Sequence, residues 1–379
     1  MSATADITVI GGGLAGLEFA RRASSVDGDG PDLALVDAGG PRRGSDAPGV
    51  LLHPFPGRRI DPAPETLEQC QFSVETISEW EALAPRGTVR SLPMVRPFLE
   101  GDVGDDLRDS WRTNRDDLPS WVDAREVRGW SLGPLGDGFE SFDGALMYRP
   151  ARLVELPALR RALRTELRHR GADLRTGLAE RLVRCGDDWR VETTAGTIES
   201  GRVVLAVGRG LTEWFPDLDL HGRGGELVVA DPPPGVALRC IVNAGGGHVA
   251  PTRDGRWIAG SSWWRDTELF DRTDRQAIRA VGARCERSYP PYRAAVVHRV
   301  WRGIRAKYRD NRALVGPVPG LDDLYVLGAF GSKGVLRIPS AADRLAARLH
   351  GESVDLPPGR AADRVEPSEW RPAVARLEV

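Results

Sequence analysis

The sequence predicts an α/β protein, α+β overall, in which a Rossmann-like domain is interrupted by an inserted domain built on an antiparallel sheet. A glycine-rich strand–turn–helix pattern stands near the N-terminus, and the strands that would complete its sheet return only after residue 170. Segments typical of antiparallel hairpins lie outside these pieces. At 379 residues, two domains are the better expectation.

Composition restricts the class of protein and its partners. Apolar residues make up 41% and charged residues 28% of the chain, which is typical of a soluble globular protein. The net charge of -2 gives no general attraction to nucleic acid or anionic membranes. We see neither a membrane-spanning apolar run nor a secretory signal, so we expect a cytoplasmic protein without membrane contact.

The cysteines predict neither a disulfide scaffold nor a metal site. They lie far apart and form no CxxC pair. They are Cys70, Cys185, Cys240 and Cys285.

Residues 6–23 carry a dinucleotide-binding fingerprint. A short apolar strand leads into Gly11, Gly13 and Gly16 in G-x-G-x-x-G spacing, and apolar residues follow at helical spacing. Such glycines allow a tight turn and a close approach of a pyrophosphate to a helix N-terminus. A second strand ends in Asp37, which is placed to accept hydrogen bonds from a ribose. The pattern predicts a dinucleotide site without separating NAD from FAD.

Later segments complete the predicted sheet. An amphipathic helix is predicted by leucines along one face, and these are Leu156, Leu159, Leu163 and Leu167. The apolar run 203–207 is typical of a strand buried on both faces. It leads to Gly208, which we expect at the same sheet edge as the fingerprint.

The inserted domain is less regular. "GHVAPTRDGRWIAGSSWW", residues 247–264, predicts strands joined by a hairpin turn at "RDG". Residues 100–145 are rich in Asp, Arg, Gly and Pro, and they form either loops of this domain or a solvated excursion. We place the cofactor domain at residues 1–60, 146–225 and 300–379, and the inserted domain at 61–145 and 226–299.

Residues 301–352 resemble the C-terminal signature of the D-amino-acid oxidase superfamily. "GALMYRPARLVELPALRRAL", "GRVVLAVGRG" and "SDAPGVLLHPFPG" resemble internal landmarks of that family. Its members are FAD enzymes, including glycine and sarcosine oxidases and the flavin domain of a tRNA-modifying enzyme that removes a carboxymethyl group from a wobble uridine. The resemblance implies a Rossmann-like FAD-binding domain and an inserted substrate domain, with one non-covalent FAD per chain.

The resemblance also implies the residues that hold FAD. The adenosine and pyrophosphate end would be bound by Gly11, Gly13, Gly16 and Asp37, with Gly208 closing a nearby strand. The pyrimidine end of the flavin would be cradled by Gly331, Ser332, Lys333 and Gly334. The chain has only two lysines, Lys307 and Lys333. A lysine at a helix N-terminus is unfavourable unless an anion lies in front of it, so Lys333 is predicted to face the reduced flavin.

The resemblance implies candidates for the catalytic site. Arg305, in "GIRA", occupies the position of an arginine that pairs with the substrate carboxylate, and Lys333 contributes charge. His248 stands where relatives often carry a pocket-lining tyrosine, and His53 falls in the segment that passes the flavin ring. Each histidine has either a substrate-binding or a structural role.

The activity implied is oxidation of the C–N bond of a small amine or amino acid that carries a carboxylate, by hydride transfer to flavin N5. Oxygen or another carrier would accept the electrons. Two alternatives stay open. One is removal of a carboxymethyl group from a modified tRNA wobble uridine, which the net charge does not favour. The other is a flavin-binding electron-relay protein without turnover of its own.

Overall fold

The structure is a computed structural model that describes residues 3–24, 30–40, 43–265, 271–356, 365–373 and 375–378. The chain divides into two compact units. The first comprises Met1–Ser45, Arg160–Arg223 and Ile304–Val379, and the second comprises Asp46–Leu159 and Gly224–Gly303.

The strands are β1 (Ala3–Ile10), β2 (Leu33–Asp37), β3 (Val50–Leu52), β4 (Val89–Ser91), β5 (Met94–Pro97), β6 (Asp123–Val127), β7 (Ala145–Arg149), β8 (Arg152–Val154), β9 (Asp173–Thr176), β10 (Ala179–Cys185), β11 (Asp188–Thr193), β12 (Gly196–Leu205), β13 (Leu220–Asp231), β14 (Ile241–Ala244), β15 (Gly247–Pro251), β16 (Trp257–Gly260), β17 (Trp264–Arg265), β18 (Val296–Tyr308), β19 (Leu314–Pro317), β20 (Leu324–Gly328) and β21 (Leu377–Glu378). The helices are α1 (Leu14–Ala23), α2 (Pro64–Leu83), α3 (Asp102–Asn114), α4 (Leu156–His169), α5 (Leu211–Trp214), α6 (Asp274–Ser288) and α7 (Gly334–Leu349).

The first unit is built on a sheet of order β21-β10-β11-β12-β1-β2-β9, with β20 on β12 and β19 on β20. The strands β2, β1, β12 and β20 run parallel to one another. Their carboxyl ends therefore meet at one edge of the sheet, where doubly wound folds bind ligands. The predicted Rossmann-like arrangement is confirmed.

Two helix predictions in this region are confirmed. Helix α1 begins directly after the fingerprint glycines and packs against α7. Helix α4 carries the predicted leucine face, since Leu159, Leu163 and Leu167 are fully buried. Burial of such a face, rather than intrinsic propensity, is what stabilises most helices in proteins.

The second unit contains a sheet of order β17-β13-β16-β15-β14-β5-β7-β6, with β18 on β13. Helix α6 packs against β14, β15 and β16. The hairpin predicted around "RDG" is confirmed, because β15 and β16 pair antiparallel. The sheet contains the predicted antiparallel pairs, and β5 lies parallel to β14, because the two strands come from distant segments and no hairpin joins them.

The region 100–145 contains more regular structure than its composition indicates. It forms α3 and β6 rather than loops alone. Helix α3 buries few large apolar side chains, chiefly Leu107 and Trp111, so its apolar periodicity is weak and the sequence does not predict it.

We propose the unit boundaries as the domain boundaries. This reassigns residues 46–60, 146–159, 224–225 and 300–303 from the cofactor domain to the second domain. The reason is that β3 and β8 pair with each other, and β8 also pairs with β4. Among the described residues, every helix falls short of the length or apolarity that a bilayer crossing requires.

Candidate active site

The fingerprint loop has no room for side chains at two of its glycines. Gly11 adopts φ +111°, and a Cβ there would lie 2.5 Å from the carbonyl oxygen of Ala206. A Cβ on Gly16 would lie 1.9 Å from the carbonyl oxygen of Gly11. The loop therefore closes tightly between the end of β1, the end of β12 and the start of α1, and only glycine fits.

The N-terminus of α1 faces the same sheet edge. Its N-cap residue is Gly13, which offers no side-chain cap, and the Leu14 N–H donates to Ser45 Oγ at 3.0 Å. A Cβ on Gly13 would lie 3.2 Å from that oxygen. A helix N-terminus with exposed N–H groups and a neighbouring hydroxyl is suited to a phosphate. Nothing in its spacing marks Ser45 in the sequence.

Asp37, at the end of β2, is surrounded by arginines. Its carboxylate lies 2.8 Å from Arg43 Nη1, 3.2 Å from Arg164 Nη1 and 3.7 Å from Arg160 Nη2. Burial would raise the pKa of the Asp37 carboxyl, but the hydrogen bond and charge of Arg43, with backbone N–H groups, hold it below its usual value. The carboxylate is therefore ionised at neutral pH and can accept hydrogen bonds from a ribose.

Arg160 also contacts the fingerprint loop, in addition to Asp37. Its Nη2 and Nε donate to the carbonyl oxygen of Gly12 at 2.8 and 3.2 Å. A Cβ on Gly12 would lie 2.5 Å from the Asp37 carboxyl carbon, so backbone and carboxylate approach closely there. These arginines could not be predicted, because none stands out in a chain with fifty arginines.

The loops after β12 and β20 complete this edge. Gly208 follows β12 with φ +59°, and Gly331 follows β20 with φ +61°. Residues Gly331–Lys333 form a single 3-10 turn, and Lys333 is the N-cap residue of α7. The predicted location of Lys333 at a helix N-terminus is confirmed.

Arg305 lies on β18 between two backbone bridges. Ile304 pairs with Arg43, and Lys307 pairs with Phe330. The second bridge puts this part of β18 beside the loop that contains Lys333. Burial lowers the pKa of the Arg305 guanidinium to about 10, so it keeps its charge at neutral pH.

His53 and His248 both belong to the second unit. His53 Nδ1 is 3.0 Å from the Tyr148 hydroxyl. Burial, followed by the positive charges of Arg96 and His248, lowers the pKa of His53 to about 3. Burial raises the pKa of Tyr148 to about 12. His53 is therefore neutral over the physiological range.

The first unit contains all nine predicted cofactor residues, and the strand segment that carries Arg305 pairs next to one of their loops. Neither unit contains both the two histidines and the cofactor residues. Both units also contain polar residues at these sites that could not be predicted from the sequence. They are Arg43, Ser45, Arg160 and Arg164 in the first and Arg96 and Tyr148 in the second.

The residues present fit FAD. The space beside Gly11 and Gly16 admits backbone only, the α1 N-terminus suits the pyrophosphate, and ionised Asp37 suits the ribose. In this arrangement the loop Gly331–Gly334 would hold the pyrimidine end.

Comparisons with known proteins agree with this fit. The family model described as "DAO: FAD dependent oxidoreductase" matches residues 6–348. The chain is 28% identical over 383 residues to the tRNA 5-methylaminomethyl-2-thiouridine biosynthesis bifunctional protein MnmC of Caulobacter sp. (strain K31), covering 95% of this chain and 58% of that protein. The chain therefore spans little more than half the length of this curated relative.

Solved structures show the same fold. Glycine oxidase from Geobacillus kaustophilus superposes with a TM-score of 0.79 at 21% identity, covering 94% of this chain and 98% of that one. Iminodiacetate oxidase from Chelativorans sp. BNC1 superposes with a TM-score of 0.78 at 19% identity, covering 93% and 98%. On the match over residues 6–348, the chain belongs to the DAO family of FAD-dependent oxidoreductases.

Proposed function

We propose that this protein oxidises the C–N bond of a small amine or amino acid that carries a carboxylate. The observation that carries the proposal is the location of Arg305 on β18, between the bridges Ile304–Arg43 and Lys307–Phe330. That location puts the backbone of Arg305 two residues from the bridge to the strand end before the loop proposed to hold the flavin. A bound carboxylate there would hold the reacting carbon close to the cofactor.

Arg305 is the proposed carboxylate ligand. Burial lowers its pKa to about 10, which means that the charged form has lost solvation. A carboxylate would compensate for the lost solvation by accepting two parallel hydrogen bonds, which a planar guanidinium can donate.

FAD, when bound, supplies the redox chemistry by accepting a hydride at N5. The chain's part is orientation and electrostatics. Lys333 is the N-cap residue of α7, and together with the helix N-terminus it would provide positive charge to the pyrimidine edge that is anionic in reduced flavin. The oxidised product would be an imine, which water hydrolyses, and oxygen or another carrier would take the electrons.

The two histidines are assigned positioning roles rather than proton transfer. With a pKa of about 3, His53 stays neutral near pH 7 and does not take up a proton, and its Nδ1 is hydrogen-bonded to the Tyr148 hydroxyl. His248 lies near enough for its charge to act on His53, and we assign it to the same polar cluster.

A second candidate is action on a modified tRNA. The support is the similarity to a protein named for tRNA 5-methylaminomethyl-2-thiouridine biosynthesis, which extends over 95% of this chain. The net charge of -2 gives this candidate no general electrostatic support.

Anaerobic titration of the FAD-loaded protein tests the proposal. Amino acids, N-methyl amino acids and carboxymethyl-modified tRNA are added in turn, and flavin absorbance is followed. We expect bleaching by a carboxylate-bearing amine and no bleaching by the matching amine without a carboxylate. Bleaching by the tRNA alone would favour the second candidate. Readmission of air then shows whether oxygen is an efficient electron acceptor.

The matched variant is Arg305→Leu. We expect binding of the carboxylate substrate to weaken by about 1.5–3 kcal/mol, the value of a charged hydrogen-bonded contact. Equal affinity in the variant would remove Arg305 from the site and reopen the substrate class.

A further inference from the structure

Strand β18 carries two cationic side chains on one face, and both belong to the first unit. Arg305 and Lys307 are two positions apart on this strand. Side chains alternate between the two faces of a strand, so these two point to the same side. At the usual rise per residue their Cα atoms are about 6.6 Å apart. The two charges are therefore close enough to act on one small ligand.

The hydrophobic core shows which way that face points. Tyr308 is a member of the core cluster of the first unit, and Ala306 packs against the same cluster. These two residues alternate with Arg305 and Lys307 along the strand, so the cationic face points away from the core. Both cationic residues are half-buried. A ligand can therefore reach them from outside the core.

The cationic face borders the loop proposed to hold the flavin. Lys307 pairs in an antiparallel bridge with Phe330, which directly precedes Gly331. A Cβ built on Gly331 would lie 3.9 Å from the Cβ of Lys307, so the Lys307 side chain begins beside that loop. All of these residues belong to the first unit. A ligand held between Arg305 and Lys307 would thus lie next to the loop.

The Lys307 ammonium has no counterion in the part of the chain that the structure describes. No hydrogen bond or ion pair holds it there, whereas Arg309, two positions further along, lies 2.9 Å from Glu369 Oε1. A lysine is a compact charge on a flexible four-carbon stem, so it can follow an acidic group over a range of positions. The chain has only two lysines, and this one lies beside the proposed carboxylate ligand.

We propose that Arg305 and Lys307 together bind a substrate with two acidic groups. The carboxylate next to the amine pairs with Arg305, and the second acidic group pairs with Lys307. The substrate class is then an acidic amino acid or its N-alkyl derivative. This inference rests on the proposed function, since it names the substrate of the same site.

Charge balance favours a second acidic group over a neutral one. A substrate with a single carboxylate would neutralise one of the two neighbouring cations and would leave the other partly desolvated without a partner. A second carboxylate provides that partner, and charges removed from water are ordinarily paired in proteins. A bidentate contact suits the planar guanidinium of Arg305, and a single point contact suits Lys307.

Anaerobic calorimetry of the FAD-loaded protein tests the proposal, because it measures binding whether or not oxidation follows. The probes are aspartate with asparagine, and glutamate with glutamine, each also in its N-methyl form. The two members of a pair differ in one charge and are nearly equal in shape. In the wild type we expect the acid of at least one pair to bind at least tenfold more tightly than its amide. In Lys307→Met we expect the two affinities to become equal within about twofold.

Two further variants serve as controls. Lys307→Arg keeps the charge and should retain most of the preference for the acid. Arg312→Met removes an exposed positive charge from the turn after β18, so it reports the effect of net charge alone and should keep the wild-type ratio. The flavin midpoint potential of substrate-free Lys307→Met is a second readout.

The results distinguish this inference from the proposed function. An acid-to-amide ratio that survives in Lys307→Met overturns the assignment of Lys307, as does equal binding within every pair by the wild type or the absence of binding. A surviving ratio with a lowered flavin potential would assign the Lys307 charge to the flavin instead. If monocarboxylate amines bleach the flavin while Lys307→Met leaves the ratio unchanged, the oxidation stands and the second acidic group is wrong. If the acids bind through Lys307 but no amine bleaches the flavin, the two-cation site stands and the proposed oxidation is wrong.

Discussion

Arg160 Nη2 donates a hydrogen bond of 2.8 Å to the carbonyl oxygen of Gly12. The same nitrogen lies 3.7 Å from Asp37 Oδ2. A side chain from α4 thus joins the fingerprint loop to the carboxylate that would bind the ribose of FAD. This makes Arg160 a positioning residue for both.

Arg160→Met should therefore weaken FAD binding. Loss of a hydrogen bond from a charged donor is worth about 1.5–3 kcal/mol, which corresponds to roughly 10-fold to 150-fold in the FAD dissociation constant. Fluorescence titration of the apoprotein with FAD measures it. Arg161→Met, an exposed neighbour on α4, is the control, and the same FAD affinity in both variants would argue against the role of Arg160.

The fingerprint glycines should differ in their tolerance of a methyl group. In Gly16→Ala, the new Cβ would lie 1.9 Å from the Gly11 carbonyl oxygen, so the backbone must move and FAD should be lost. In Gly13→Ala, the Cβ would be 3.2 Å from Ser45 Oγ, a hydroxyl that can shift. We expect this variant to keep FAD with reduced affinity.

Absorbance of the purified proteins and thermal unfolding measure this difference. Gly133→Ala is the control, because nothing lies within 4 Å of its added Cβ. A yellow, stable Gly16→Ala protein would contradict the packing described for the loop.

The buried His53 should make stability depend on pH. Its pKa falls from 6.5 to about 3 on folding, so between these values the unfolded chain binds the extra proton. The contribution of neutral, buried His53 to the free energy of unfolding is fully present above pH 6.5 and is lost progressively as the pH falls toward 3. The slope is at most about 1.4 kcal/mol per pH unit.

His53→Gln should flatten this part of the profile. Urea unfolding between pH 7 and 5 measures the free energy of unfolding for both proteins. The control is His298→Gln, which removes an exposed imidazole. Identical slopes for the wild type and His53→Gln would show that His53 is not buried in its neutral form.

Lys333 should tune the flavin potential. If its charge faces the pyrimidine edge, Lys333→Met lowers the midpoint potential and Lys333→Arg lowers it less. A partly screened charge gives a few kcal/mol at most, and about 1.4 kcal/mol equals 30 mV for two electrons. We therefore expect shifts of tens of millivolts in a spectroelectrochemical titration. Equal potentials would mean that Lys333 points away from the flavin.

The parallel strands and the fingerprint could be predicted because their signals are local. Gly11, Gly13 and Gly16 stand at fixed spacing, Asp37 ends the next apolar run, and the α4 leucines repeat at helical period. Helix α3 could not be predicted, since its buried face carries the small residues Gly104 and Ser110 beside only two large apolar ones, Leu107 and Trp111.

The side chains around these motifs could not be predicted, for a different reason. Arg160 reaches Gly12 across 148 positions of sequence, and Arg96 meets His53 only after β5 takes its place in the sheet. Such contacts depend on tertiary structure, and an arginine carries little information in a chain where nearly every basic residue is arginine. The domain boundaries that we propose differ from the expected ones for the same reason, because the pairing of β3 with β8 is long-range.

The central claim is hydride transfer from the carbon next to nitrogen of a carboxylate-bearing amine to FAD. Anaerobic stopped-flow reduction of the FAD-loaded protein tests it most directly, with a substrate from the titration panel prepared with hydrogen or deuterium at that carbon. We predict that bleaching of the flavin is slower with the deuterated substrate, since that C–H bond breaks as the flavin is reduced. Equal rates at saturating substrate, or no bleaching by any amine of the panel, would contradict the claim.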